Sequence, residues 1–343
     1  MPDIDHYIII GNGPAGNHAA ITLRKKDEDA RITIISDECV PFYYKPRLIN
    51  FIADKTDKKD LIVRSIESYK EKDIRIRMGQ KVTQIHLDSK SIFLQHMEKI
   101  NYTKLIIASG SRARILPSMT AYAAHMNFIT SYTDVMEYKK KIQEANKIFI
   151  FGGDLVGFKF LKTLDAMGKE VTIMIDPNAF WPFNLNSNML DKIFSNLSKL
   201  NVSIIIKDAI STIEKHENFF SVTTRKGIEK TVDMVFSLNG LTPNIEFAKG
   251  SGIDYDRGIL VNEHLKTNVN SIYACGSCAQ IYNPSIRSYT TSIGWPNAVS
   301  QGEMSALNLL GGHKVIKAAG RKYFDLEGVK IKTTWWEDID DES

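Results

Sequence analysis

Cysteine is scarce in this sequence. Cys39, Cys275 and Cys278 are the three in 343 residues, too few for a disulfide framework, so a reducing cytoplasm is the expected setting. Long apolar runs are missing too. The longest, such as Tyr7–Ile10 and Ile204–Ile206, are short and β-rich, so no membrane span is expected. The opening Met1-Pro2-Asp3-Ile4-Asp5-His6 carries acids where a secretion signal carries lysines. Neither sign of charge dominates. The net charge is +4 with the basic residues scattered, which excludes nucleic acid as a partner, and Lys139-Lys140-Lys141 reads as a solvated helix face. The histidines, among them His96, His125, His216, His264 and His313, show no ligand spacing. Two neighbouring cysteines do not complete a zinc site, so no metal is expected. No nucleophile–base set stands out.

The chain does have the size and composition of a globular protein. At 43% hydrophobic and 24% charged, its length suggests two packed domains. Short β-branched runs alternate with helical stretches, which is an α/β pattern. Strands are predicted at His6–Ile10, Arg31–Ile35, Lys104–Ala108, Lys147–Phe151, Glu170–Ile175, Asp233–Leu238 and Ser271–Ala274. Helices are predicted up to about Lys26, up to about Met167 and over Asn297–Leu310.

Gly11-Asn12-Gly13-Pro14-Ala15-Gly16 follows the first strand and opens the first helix. In such a turn the first glycine permits the bend and the second lets a pyrophosphate touch the backbone. The third lets helix pack on strand, and the helix N-terminus offers free N–H groups to the phosphates. The next strand ends in Ser36-Asp37-Glu38, where an acid holds a ribose about 20 residues on. Asp37 is the first choice and Glu38 the second. The same strand–turn–helix–strand design returns at Gly152-Gly153-Asp154-Leu155-Val156-Gly157, with Asp176 ending its second strand. Two copies imply two dinucleotides, or one and the remains of a second site.

Further stretches carry a family resemblance. They are Asp37–Leu48, Leu105–Ser111, Leu238–Asn244, Arg257–Val261 and Ile272–Gly276. In this order, across residues 5 to 312, they are similar to the FAD-dependent pyridine nucleotide–disulfide oxidoreductases, in the rubredoxin-, nitrite- and ferredoxin-reductase branch. The resemblance implies two Rossmann-like dinucleotide-binding domains, the NAD-type one inserted in a split FAD domain. The expected division is 1–118 with 237–312 for FAD, 119–236 for the NAD-type unit and 313–343 as a short tail. The resemblance also implies roles. Gly11, Gly13 and Gly16, with Pro14 and Ala15, hold the FAD pyrophosphate. Asp37 or Glu38 holds the ribose, and Lys45 a phosphate or the ribityl chain. Ala108, Ser109 and Gly110 lie against FAD, Gly276 and Ser277 touch the ribityl chain, and the helix after Trp295-Pro296-Asn297 aims its N-terminus at the flavin pyrimidine.

The chain departs from that family in four places. Asp154 stands where the second turn has its second glycine. It is expected to put bulk and like charge against a pyrophosphate unless it turns outward. Gly152, Gly153, Gly157 and Asp176 leave the rest of the NAD-like site in place, with NADH favoured over NADPH. Asn50 and Lys159 replace a Lys and a Glu that pair near the flavin and stand as the candidate catalytic positions. Lys159 either reaches the flavin or snorkels to solvent. Ser277 replaces an Asp by the ribityl chain. The tail 314–343 stands where a further domain is usual, which implies an open flavin or a covering partner. Cys275-Gly276-Ser277-Cys278 is expected at a strand-to-helix junction, without a redox role. Trp335-Trp336 and the acids after them are expected to dock a partner.

The expected function is a cytoplasmic FAD-dependent oxidoreductase. It passes electrons between a nicotinamide donor and a protein carrier of rubredoxin, ferredoxin or iron–sulfur type. NADH is implied by the resemblance and opposed by Asp154. The alternative is an FAD-carrying relay or non-catalytic subunit of a larger, hetero-oligomeric redox complex.

Overall fold

In the computed structural model the described residues are 4–175, 186–292, 294–316, 322–326 and 329–333. The chain begins with β1 (His6–Ile10), α1 (Pro14–Lys26) and β2 (Arg31–Ile35), then α2 (Leu48–Ile52), the short α3 (Lys58–Leu61) and α4 (Ile66–Lys70), and β3 (Ile74–Arg77). An antiparallel meander of β4 (Val82–His86), β5 (Ser91–Leu94) and β6 (Lys99–Asn101) leads to β7 (Lys104–Ile107) and β8 (Ser111–Ala113). After α5 (Tyr132–Glu144) the succession repeats. β9 (Lys147–Gly152), α6 (Leu155–Ala166), β10 (Glu170–Ile175), α7 (Ser187–Leu197) and β11 (Val202–Ile206) precede a second meander, β12 (Ile210–Lys215), β13 (Phe220–Thr224) and β14 (Glu229–Val232). β15 (Met234–Leu238) closes that copy.

The chain then returns to the first copy. β16 (Leu241–Pro243) pairs antiparallel with β8. β17 (Ile259–Val261), β18 (Ile272–Ala274), β19 (Ala279–Asn283) and β20 (Ser288–Thr291) lead to α8 (Trp295–Leu309). β21 (Lys322–Leu326) and β22 (Val329–Thr333) form a hairpin that was not foreseen.

The first sheet is parallel, in the order β18-β7-β1-β2-β3. The second is parallel, β11-β10-β9-β15. The central strands of both are continuous apolar runs, HYIII in β1 and KIFIFG in β9. Both faces of such a strand are covered, so the alternation of a half-exposed strand is absent. The first sheet takes its strands from residues 6–107 and 272–274, and the second from 147–238. The strand, helix and sheet predictions hold, with ends shifted by a residue or two: β15 begins at Met234 and α8 at Trp295. No described helix is long and apolar enough to cross a membrane.

Candidate functional site

Each parallel sheet has its candidate site at the carboxyl end of its central strand, where the order reverses. In the first sheet the turn after β1 lies between β2 and β7. Gly11 has φ +105°, and a Cβ there would stand 2.1 Å from Ala108 O. At Gly16 a Cβ would stand 2.0 Å from Gly11 O. Gly13 differs: it is the N-cap of α1, and nothing lies within 4 Å of its Cβ position. Pro14 fills the first helical turn, where a missing N–H costs nothing. The turn is therefore tight on two sides and open at its middle, the shape a pyrophosphate requires.

Asn12 sits inside that turn. Its Oδ1 accepts from Tyr69 Oη at 2.7 Å, and Asn17 Nδ2 donates to the same hydroxyl. Asn12 Nδ2 is buried without a partner. Gln301 on α8 accepts from Gly276 N–H at 2.8 Å through Oε1, while its Nε2 is buried without a partner. Buried amide donors are normally satisfied, so two unsatisfied ones, one next to Gly13 and one on α8 against Gly276, fit a polar cofactor. Tyr69 and Gln301 were invisible in the sequence, because no spacing links them to the glycine turn.

Asp37 and Glu38 separate by environment. Asp37 is exposed. Glu38 turns inward, where Oε2 accepts from Tyr43 Oη at 2.8 Å and Oε1 lies 3.6 Å from Lys45 Nζ. Of the two acids, Asp37 is the one whose carboxylate faces solvent. Lys45 is paired with Glu38 rather than standing alone.

The turn after β7 faces the glycine turn. Ser109 Oγ donates to Asn244 O at 2.6 Å, and Asn244 N–H donates to Gly110 O at 3.0 Å. Ala108 is buried. Ser277 Oγ lies 3.0 Å from Ser111 Oγ, and Gly276, with φ +76°, would bring a Cβ to 3.1 Å from Ala15 Cβ. Trp295, at the start of α8, stacks on Phe42 at 5.3 Å and meets the Tyr44 edge at 4.7 Å. Asn297 is buried in the first turn of the same helix. The structure thus brings the segments around residues 11, 108, 276 and 295 together.

The second turn repeats the plan with one change. Gly152 has φ +114°, and a Cβ there would stand 2.1 Å from Leu238 O. Gly153 is buried, and Gly157 lies against the Leu238 side chain. Asp154 is the N-cap of α6 and turns neither outward nor freely toward a ligand. Gly157 N–H donates to its Oδ1 at 2.8 Å, and Gly240 N–H donates to its Oδ2 at 2.9 Å. Burial raises its pKa, while the N–H groups of Gly157, Gly240 and Val156 act against the rise. The side chain therefore does not turn outward. Helix capping draws the side chain inward onto donors the fold already supplies. Asp176 lies outside the described residues. Lys159 is exposed on α6, and its Nζ donates to Pro46 O at 2.8 Å. Asn50 lies on α2, which packs against α6.

The reading of the cysteine pair is corrected. Gly276–Cys278 is a single 3₁₀ turn followed by β19, not the start of a helix. No helix N-terminus lowers these thiols. Both are fully buried, and burial pushes their pKa values up. Among the described residues no group of His, Cys, Asp or Glu is arranged to hold a metal. Trp335, Trp336 and the acids after them lie outside the described residues.

Comparison with known proteins agrees with this geometry. The family model described as pyridine nucleotide-disulphide oxidoreductase matches residues 5–302. The NADH-rubredoxin oxidoreductase of Clostridium acetobutylicum is 30% identical over 311 residues, which cover 89% of this chain and 74% of that one. Putidaredoxin reductase of Pseudomonas putida is 25% identical over 315 residues, 90% of this chain and 74% of that one. The crystal structure of the Clostridium NADH:rubredoxin oxidoreductase matches with a TM-score of 0.78 at 28% identity, over 96% of this chain and 81% of that one.

Proposed function

Because this chain belongs to the pyridine nucleotide-disulphide oxidoreductase family, we propose that it is an FAD-dependent oxidoreductase whose flavin exchanges electrons with a small protein carrier. The observation that carries the reading is the open Gly13 in an otherwise tight turn. The relatives named above act on rubredoxin and putidaredoxin, so a carrier of that class is the partner assigned to this chain. A cytoplasmic setting goes with it. So does the division into 1–118 with 237–312 and 119–236, with β15 carrying the second sheet on to Leu238.

FAD, when bound, supplies the electron-transfer chemistry. The protein's part is to hold and shield it. Gly11, Gly13 and Gly16 seat the pyrophosphate on the α1 N-terminus, where free N–H groups and the helix dipole favour an anion. Asp37 accepts from the ribose hydroxyls. Asn12 Nδ2 and Gln301 Nε2 donate to cofactor oxygens. Ser277 offers a hydroxyl to the ribityl chain, and the stacked Phe42 and Trp295 keep water from one side of the site.

The residues of the second turn do not fit a dinucleotide in the same way. That favours the second reading, a flavin-carrying relay unit without its own nicotinamide seat. The function is tested by mixing chemically reduced protein with oxidised rubredoxin, without oxygen, in a stopped-flow instrument. Rapid reoxidation of the flavin with matching bleaching of the rubredoxin is expected. Absence of exchange with both rubredoxin and a [2Fe–2S] ferredoxin would overturn the carrier assignment.

A further inference from the structure

The two glycine turns are internal copies, and one serves as the reference for the other. Gly11 and Gly152 share a positive φ and the same close approach to the facing strand, Ala108 O in one and Leu238 O in the other. Gly110 and Gly240 follow those facing strands with φ +67° and +81°. The N-cap backbones also agree: Gly13 has φ −74° and ψ −172°, Asp154 φ −68° and ψ 177°. The same backbone therefore carries a side chain in one copy and none in the other. Where Gly13 leaves open space, the Asp154 carboxylate reaches from the α6 N-terminus to Gly240 beyond β15. That path spans the crevice between β9 and β15, where an open parallel sheet takes its ligand.

We propose that Asp154 is an internal anion in the phosphate seat of the second unit, and that this chain closes that unit to nicotinamide dinucleotides with its own side chain. The inference rests on the reading of the chain as a two-unit reductase. Three considerations carry it. The carboxylate already uses the Gly157 and Gly240 N–H groups. An incoming pyrophosphate would have to displace it and would meet its charge in a poorly screened place. On α6 itself, Lys159 donates to Pro46 O of the first unit, so the helix is also tied to that unit.

The test is calorimetric titration of the FAD-loaded protein with ADP-ribose and with NADH, in wild type, Asp154→Gly and Asp154→Ser. ADP-ribose probes the phosphate seat without the nicotinamide. Serine keeps a capping acceptor on the helix while removing the charge and the reach to Gly240, so it serves if the glycine variant folds poorly. Both variants are expected to bind ADP-ribose about 100-fold more tightly than wild type. Wild-type binding as tight as that of the variants would overturn the proposal. So would variants that gain nothing, since another feature would then close the seat. The flavin absorbance of each sample separates a failure of the flavoprotein reading, which would show as colourless protein, from a failure of this one.

Discussion

Burial decides the chemistry of the three cysteines. Cys275 and Cys278 are buried to 0% exposure, and their thiols are held in the protonated, unreactive form. Cys39 is exposed. Ellman's reagent should therefore modify a single thiol quickly in the native protein and all three after denaturation. Fast reaction of all three without denaturant would mean that the pair is accessible and redox-capable. Asp154 teaches the same lesson about sequence. Its position was legible in the motif, but its direction was not. A motif gives which residue replaces the glycine. The donors that capture the side chain come from Gly157 and from Gly240, which lies 86 residues further along the chain, and only the fold brings Gly240 there.

Among the elements, α1 and α8 matter most to the first site. Gly302 on α8 lets the helices approach until a Cβ there would stand 2.1 Å from Ala15 O. That contact sets the distance between the glycine turn and Gln301, which neighbours Gly302 on α8. Gly302→Ala forces a backbone apart and should cost about 3 kcal/mol, read as a lower urea midpoint, with flavin lost more readily. An unchanged midpoint would show that the helices slide apart freely. The helices and strands themselves were legible, because β1, β2, β9 and β10 are mostly buried apolar runs and a glycine turn follows β1 and β9. The element misjudged was the stretch after Cys275. Its small residues suit a helix start equally well, and β19 is selected by pairing with β17, residues 259–261.

At the scale of the whole molecule the two copies are not independent. Tyr43, Leu48, Phe51, Ile52 and Leu61 of the first copy belong to the core around Ile148, Ile150, Phe160 and Leu164 of the second. The Glu38–Tyr43 bond and the Lys159–Pro46 bond lie along the same seam. None of this was legible in the sequence, since residues 43–61 carry no periodic mark of the core they join. On the proposal that the first copy is open at Gly13 and the second is closed at Asp154, FAD is the one dinucleotide of the chain. The most direct test is the flavin content of the purified wild type beside Gly13→Asp, which gives the first turn the side chain of the second. Nothing lies within 4 Å of the Gly13 Cβ position, so the variant should fold. The expected result is a yellow wild type with FAD and chain in equal amounts, and a folded, colourless variant. A colourless wild type that takes up no added FAD, or a variant as yellow as the wild type, would contradict the account.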